Sequence, residues 1–380
     1  MALTSRFTFV GDLFLPKKDS KRPFLREFEK TIEGTNKKRQ MLSLNFGVKT
    51  DNTQIGYVEC FGMTRDKIYV FDADNNKLEI DWENRFDEID NIPNYNRFVI
   101  DLGEDYGGRQ EFLTEYDFIQ SLASTLPDYD SRVVVSGTYT KDWYVAGQKW
   151  NDRFNIQRVY AAKPDVKNRL AVTAELFYSK DCVDKSEYDD EKKIYLNAYI
   201  DQYINKDEGH MLVPFQAVFS SAKYDMENEK HKKILKYKMK YIDVKGKKYY
   251  HIPWDMVLVN GAEEVEFDES MLTNAQKEQI ELGLKTLNDF KPVGDIYGNR
   301  ITEFRLFDPR LTGDFEDGLV EMDESASEIE EMIYIPPKNE TEEEAKEKSK
   351  TKKKKPAKVE PEDDDEDMPF DLDDDEDELF

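Results

Sequence analysis

In residues 41–48 (MLSLNFGV), Leu42, Leu44, Phe46 and Val48 recur at a period of two, the mark of a strand with one buried face. The turn at 51–54 (DNTQ) leads back through Ile55 to Met63, which predicts a long hairpin. The opening run Arg6–Lys17 is strand-like, and short strands around Ile68–Phe71 and Lys77–Asp81 flank a polar turn. Residues 115–126 switch to helical spacing: Phe118, Leu122 and Leu126 share a face, and Pro127 closes the segment. Arg132–Thr140 and Asp152–Tyr160 predict a second hairpin, joined by a long aromatic loop from Lys141 to Trp150.

The pattern then restarts. Arg169–Lys180 aligns on Arg6–Lys17 without gaps, with Arg, Leu, Phe and Lys matching at four positions, and 193–200 (KIYLNAYI) echoes 41–48. Hairpins near 193–220 and 234–259 follow. A helix then opens on the capping box Thr273-x-x-Gln276, with Ile280, Leu284 and Leu287 as its apolar face. Strands at Ile296-Tyr297 and Ile301–Phe307 close the set. The repeated order implies an internal duplication. The fold class expected is mainly β with few helices. Residues 1–165 and 166–312 form tandem OB-like Greek-key barrels, a pair of β-sandwiches being the alternative. Apolar periodicity thins after Pro309. From Glu321 the chain reads as linker, with eight lysines between Lys346 and Lys358, so 313–380 is expected to be linker and disordered acidic tail.

Charge sharpens that division. The net charge is −26, and residues 321–380 hold 25 acids against 9 bases, leaving 56 acids and 46 bases in the first 320 residues. Thirteen of the last twenty residues are Asp or Glu, and the large apolar side chains among them are Met368, Phe370, Leu372, Leu379 and Phe380. A mildly acidic body can still present a local basic groove, because nearby lysines set the field that a phosphate feels. Cys60 and Cys182 stand alone without metal-type spacing, which fits a reducing compartment. Residues 1–6 lack the apolar core of a leader, and no apolar run approaches ~18 residues. The expected location is cytoplasmic, with no membrane partner.

Of 48 aromatic residues, all but Tyr334, Phe370 and Phe380 precede residue 321, and three places group them with polar or basic neighbours. On the strand from Ile194, Tyr195, Tyr199 and Tyr203 fall on the face of Asn197 and Asp201, a row on which bases could stack or which a neighbouring domain could cover. If 234–242 is a strand, Lys236, Lys238 and Lys240 line one face, suited to a phosphate backbone or to blocking edge aggregation. In the 141–150 loop, Trp143, Tyr144 and Trp150 lie beside Lys141, Lys149 and Arg153, which suits stacking plus phosphate contact; folding under as a mini-core is the other option. Catalytic patterns are missing. His210, His231 and His251 form no HExxH or metal spacing, there is no GxxxxGK[ST], and Asp72, Asp74, Asn76 and Glu83 match a calcium loop only in part, Lys77 standing where Gly is required. The reading is a non-enzyme without cofactor or metal.

At this point the chain resembles phage-type single-stranded DNA-binding proteins. The run Val133–Tyr139 (VVVSGTY), a Trp-bearing loop with Gly147-Gln148, and Phe154–Val159 (FNIQRV) are similar to the last hairpin of bacterial single-stranded DNA-binding OB-folds. The Met368-Pro369-Phe370 and Phe380 tips among Asp and Glu resemble the acidic, Phe-terminated tails of the bacterial and T7-type phage proteins. The chain departs from that pattern in its two barrels and its second Phe tip, and it lacks the zinc ligands of T4-type proteins. The resemblance implies a protein that coats single-stranded DNA in replication, recombination or repair, in the host cytoplasm if phage-encoded. Its tail would recruit polymerase-, helicase- or primase-type enzymes through Met368, Phe370, Leu379 and Phe380, and compete with DNA for a basic groove. The reading from another class is an acidic interaction protein, a DNA mimic that binds basic proteins without nucleic acid; the net charge favours it.

Overall fold

The computed structural model describes residues 5–32, 37–51, 53–74, 76–264, 272–290 and 297–337. The first half runs β1 (Arg6–Phe14), β2 (Leu25–Thr31), β3 (Lys38–Lys49), β4 (Ile55–Met63), β5 (Lys67–Phe71), β6 (Lys77–Asp81), β7 (Phe98–Asp101), β8 (Arg109–Phe112), α1 (Glu115–Thr125), β9 (Arg132–Tyr144) and β10 (Lys149–Ala161). The second runs β11 (Arg169–Tyr178), β12 (Val183–Asp184), α2 (Tyr188–Glu191), β13 (Lys193–Asn205), β14 (Gly209–Ser220), α3 (Glu229–Ile242), β15 (Tyr250–Glu264), α4 (Asn274–Glu281) and β16 (Tyr297–Pro309). After it come β17 (Val320–Glu321) and α5 (Ala326–Glu331).

Pairing closes two rings. β1 pairs antiparallel with β3 and β9, β3 with β4, and β9 with β10; β4 meets β10 in parallel at Glu59–Asn155. In the second half β11 pairs with β13 and β15, β13 with β14, and β15 with β16, while β14 meets β16 in parallel at Ala217–Phe304. Each ring has five strands in one order, with a parallel seam between its third and fifth and a helix, α1 or α3, before its fourth. This is the OB topology, present twice. Alternation fills both interiors: Leu42, Leu44, Phe46 and Val48 are buried in one ring, Ile194, Leu196, Ala198 and Ile200 at the matching positions of the other.

The duplicated first strands also bind each other. Arg6 pairs with Thr173, Thr8 with Ala171, and Val10 with Arg169. On the gapless alignment, Thr8 and Ala171 are equivalent positions, so the pairing is self-complementary about a local two-fold axis, as in an isologous dimer. Side chains extend the symmetry. The Gln202 side-chain amide donates to the Lys141 carbonyl and its oxygen accepts from the Lys141 amide, both at 2.7 Å. In the reciprocal contact, the Asn260 amide donates to Gln54 Oε1 at 2.9 Å and Asn260 Nδ2 to the Ile55 carbonyl at 2.8 Å. A Cβ on the neighbouring Gly261 would lie 1.8 Å from the Thr53 carbonyl oxygen, so the close approach of the two barrels there requires glycine.

Four expectations are corrected. Residues 234–242 belong to α3 and form no strand, so Lys236, Lys238 and Lys240 do not make a strand row. Over so short a window the Leu-Lys-Tyr-Lys-Met-Lys-Tyr run satisfies both periods. Asn228 decides it: its side chain accepts from the Lys230 and His231 amides, starting a helix that buries Leu235, Lys238, Tyr241 and Ile242. The aromatic loop at 141–150 is mostly strand, because β9 runs to Tyr144 and β10 starts at Lys149. The helix at Thr273 has its capping box but stops at Glu281, where Gly283, with φ +70°, turns the chain and leaves Leu284 exposed. Past Glu321 the chain stays packed to Tyr334. β17 pairs with β15, α5 buries Ile329, and the Leu212 amide and carbonyl bond Met332 and Tyr334. The acidic end, with Met368, Phe370, Leu379 and Phe380, lies outside the described residues.

Candidate nucleic-acid interface

The β9–β10 hairpin projects beyond the first ring as an arm, and residue parity gives it two unlike faces. Tyr144 opposes Lys149, Asp142 opposes Asn151 and Thr140 opposes Arg153, so these six share one face. Trp143 opposes Trp150 and Lys141 opposes Asp152 on the other. That second face packs toward the second barrel: the indoles meet edge-on at 5.4 Å, Trp150 lies 6.0 Å from the Tyr334 ring, and Tyr139 further in contacts Phe215 and Phe304. Lys141 Nζ lies 3.6 Å from Asp152 and its side chain is 13% exposed. The sequence-predicted cluster is therefore divided. Tyr144, Lys149 and Arg153 stay together on the opposite face, where Lys149 is exposed and the Arg153 side chain is 16% exposed, whereas Trp143, Trp150 and Lys141 join the arm to its neighbour.

Arg153 is not a bare cation. Its Nη1 contacts both Glu59 oxygens at 3.1 and 3.0 Å, and Nη2 contacts Asp142 at 3.0 Å. Burial pulls the guanidinium down, but Glu59 and Asp142 outweigh it and hold it above its usual value. At the arm tip, Lys149 Nζ sits 5.8 Å from the Tyr144 ring centroid, and Lys149 is exposed.

The tyrosine row has the expected parity on β13, with uneven access. Tyr195 donates to Glu187 at 2.7 Å, and this hydrogen bond, with burial, pushes its hydroxyl up to about 12. Burial raises the half-buried Tyr199 too, with Cys182 and Glu330 of α5 close by. Tyr203 is 52% exposed beside His210. The segment after β16 thus reaches this face at Tyr199, while Glu187, before β13, holds Tyr195. In α3, Lys238 is buried, bonded to the Phe307 carbonyl and 2.9 Å from Asp308; Lys236 and Lys240 are exposed.

The better-developed surface is one the linear reading missed, the outer face of β2, β3 and β4. Successive cross-strand rows place Phe28, Met41 and Met63 together, then Arg26, Ser43 and Phe61, then Asn45 with Glu59. Phe28 and Phe61 are half-buried with ring centroids 6.4 Å apart, and the Arg26 guanidinium lies 5.1 Å from the Phe28 ring centroid. Farther along, Tyr57 is 46% exposed and 6.5 Å from Phe14, over which Lys49 Nζ sits at 4.4 Å. Gly47 makes room for this group: a Cβ there would fall 2.4 Å from Ile55 Cδ1 and 3.2 Å from the Phe14 ring. Asn155, beside Glu59 on β10, joins this face to the open side of the arm. Parity on 55–63 gives the Tyr57–Glu59–Phe61 row from sequence, but the contribution of β2 needed its pairing to be known.

Among the described residues, no group of three or more His, Cys, Asp or Glu side chains could hold a metal ion, and Cys60 and Cys182 are free and buried. No helix there is long and apolar enough to cross a membrane. No family model and no curated protein matches the sequence. Three solved chains match, among them a deletion mutant of the single-stranded DNA binding protein from Thermus aquaticus. It is 11% identical, covers 67% of this chain and 87% of that one, and superposes with a TM-score of 0.25. The assignment of two OB barrels rests on their strand pairing.

Proposed function

We propose that the chain binds single-stranded DNA across the outer face of β2, β3 and β4, continuing onto the open side of the arm. One observation carries this reading: an aromatic and cationic ladder of Phe28, Phe61, Tyr57 and Phe14 with Arg26 and Lys49. Its Lys49, Tyr57 and Phe61 lie on the second and third ring strands, β3 and β4, where OB barrels take oligonucleotides, and Phe28 and Arg26 of β2 and Phe14 of β1 flank them. Rings on such a face stack bases regardless of sequence, and the cations meet the backbone. Tyr144, Lys149 and Arg153 extend the path; Trp143 and Trp150 stiffen the arm that presents them.

The role that fits is coating exposed strands during replication, recombination or repair, as the resemblance of the hairpin and acidic end implies. Met368, Phe370, Leu379 and Phe380 would serve as recruiting tips for replication enzymes, and their acidic setting would compete with DNA for the cations of the first barrel. Fluorescence anisotropy of labelled oligo-dT and of a duplex, titrated at two salt concentrations, tests the reading. The expected result is oligo-dT binding that weakens with salt and exceeds duplex binding. Affinity for a basic protein with none for either DNA would overturn it in favour of the acidic interaction protein.

A further inference from the structure

At the end of the aromatic ladder, Lys37, Lys38, Arg39, Thr64, Arg65 and Asp66 line an open cleft of about 210 Å³. That is below the ~300–1,000 Å³ of drug-sized pockets and suits a small anionic group. Arg39 lies two residues before Met41 on β3, so it continues the outer face of the Phe28–Met41–Met63 row, about 7 Å farther on at the usual strand rise. Lys30 is its cross-strand partner.

We infer that this cleft is a phosphate subsite, taking a backbone phosphodiester of the strand whose bases lie on Phe28 and Phe61. The inference rests on the strand-binding reading given above. Four cations line the cleft with one carboxylate, Asp66, and that carboxylate already occupies an anion's position: it is 2.5 Å from Lys37 Nζ and 3.7 Å from Arg39 Nη2. The Lys37 and Asp66 side chains are each 63% exposed, so their pairing is a weakly held surface contact that a phosphate can replace. Lys38 turns partly to Glu29, at 2.8 Å. Thr64 Oγ1 accepts from the Gln40 amide at 3.1 Å, which leaves its own proton to donate to a phosphate oxygen.

The test measures oligo-dT affinity across a salt series with the full chain, its K37Q/R65Q double variant and D66N. One lost phosphate contact lowers the slope of log K against log salt by about 0.7 for a single strand. The double variant should show that loss with its melting temperature kept, and D66N should bind more tightly at low salt. Repeating the series with 5′-phosphorylated and unphosphorylated oligonucleotides separates an end phosphate from an internal one, since a terminal source gives a gain that the double variant abolishes. Oligo-dT binding with unchanged slope in the double variant and no tightening in D66N would overturn the subsite alone. No oligo-dT binding by the parent chain would overturn the reading beneath it as well.

Discussion

Arg153 is clamped between Glu59 and Asp142, its Nη1 touching both Glu59 oxygens at 3.1 and 3.0 Å in the middle of the open face of the first barrel. Two carboxylates thus neutralise the cation nearest the centre of the proposed DNA path. Replacing Glu59 with Gln removes one of them and keeps the side-chain shape. Glu59→Gln should tighten oligo-dT binding several-fold at low salt, with the salt slope steeper by up to about 0.7, one phosphate contact on a single strand. Anisotropy titrations at several salt concentrations read both quantities, and unchanged affinity and slope would place the DNA elsewhere. The matching position in the second barrel is Gln216, bonded to Asn197 at 2.8 Å, so the fold accommodates the neutral residue there.

Stacking makes a separate prediction. Phe61→Ala and Tyr57→Ala should each weaken oligo-dT binding by about 1–3 kcal/mol, the usual cost of losing one base–aromatic stack, with Phe61→Trp retaining affinity. Tyr57 is 46% exposed, so Tyr57→Ala should change folding stability by no more than ~0.5 kcal/mol. A thermal melt of each variant separates lost binding from lost fold.

Much of this architecture can be read from the sequence, because both barrels are built from hairpins whose alternation is plain. Leu42, Leu44, Phe46 and Val48, and Ile194, Leu196, Ala198 and Ile200, are buried as parity requires, and the Arg6–Lys17 repeat marks equivalent first strands. Parity also shows which residues share a face, but not what covers that face. Tyr199 lies close to Glu330 of α5, more than a hundred residues away in sequence. Phe28 reaches Phe61 through a strand whose exposed Arg26, Glu27, Glu29 and Lys30 hide its apolar positions. The arm failed for a local reason: Trp, Tyr and Lys in a polar run suggest a loop, whereas their cross-strand pairing makes them a ribbon.

The coupling of the two barrels is testable at Gln202. Its side chain makes two part-buried hydrogen bonds to the Lys141 backbone, each worth about 0.5–1.5 kcal/mol net. Gln202→Ala should therefore cost about 1–3 kcal/mol in urea unfolding. Because the bond anchors the base of the arm, oligo-dT affinity should also fall modestly. A stability loss below ~0.5 kcal/mol would show that the β1–β11 ladder and the Asn260 contacts hold the barrels together without Gln202.

Acid sensitivity has an identifiable source in Glu111. The Arg97 hydrogen bond, joined by Arg109 and outweighing burial, holds its carboxyl below the usual glutamate range. A depressed native pKa contributes stability that is fully present above the unfolded value near ~4.3 and is lost as pH falls through the native one. Glu111→Gln should therefore melt lower than the parent at pH 7 and lose less on acidification below about pH 4. Parallel melting curves down to pH 3 would assign the acid limb to other groups.

Lys238 carries the last prediction, because it separates a structural lysine from a DNA-binding one. Its ammonium is buried against the Phe307 carbonyl and Asp308, with Nζ 5.9 Å from the Tyr224 ring centroid and 5.2 Å from that of Phe307. Either Met or Asn removes the ammonium from the Phe307 carbonyl and from Asp308, which is half exposed and can remain hydrated; Met keeps the volume of the buried side chain, whereas Asn leaves a cavity and buries an amide. Lys238→Met should thus cost about 1.5–3 kcal/mol, the usual net worth of a hydrogen bond to a charged group, and Lys238→Asn should cost more, while neither changes the salt slope of oligo-dT binding. The exposed Lys236 and Lys240 serve as the contrast. If Lys236→Gln/Lys240→Gln lowers that slope by about 1.4, twice the single-contact value, α3 lies on the DNA path as a helix face. An unchanged slope leaves α3 off the DNA path.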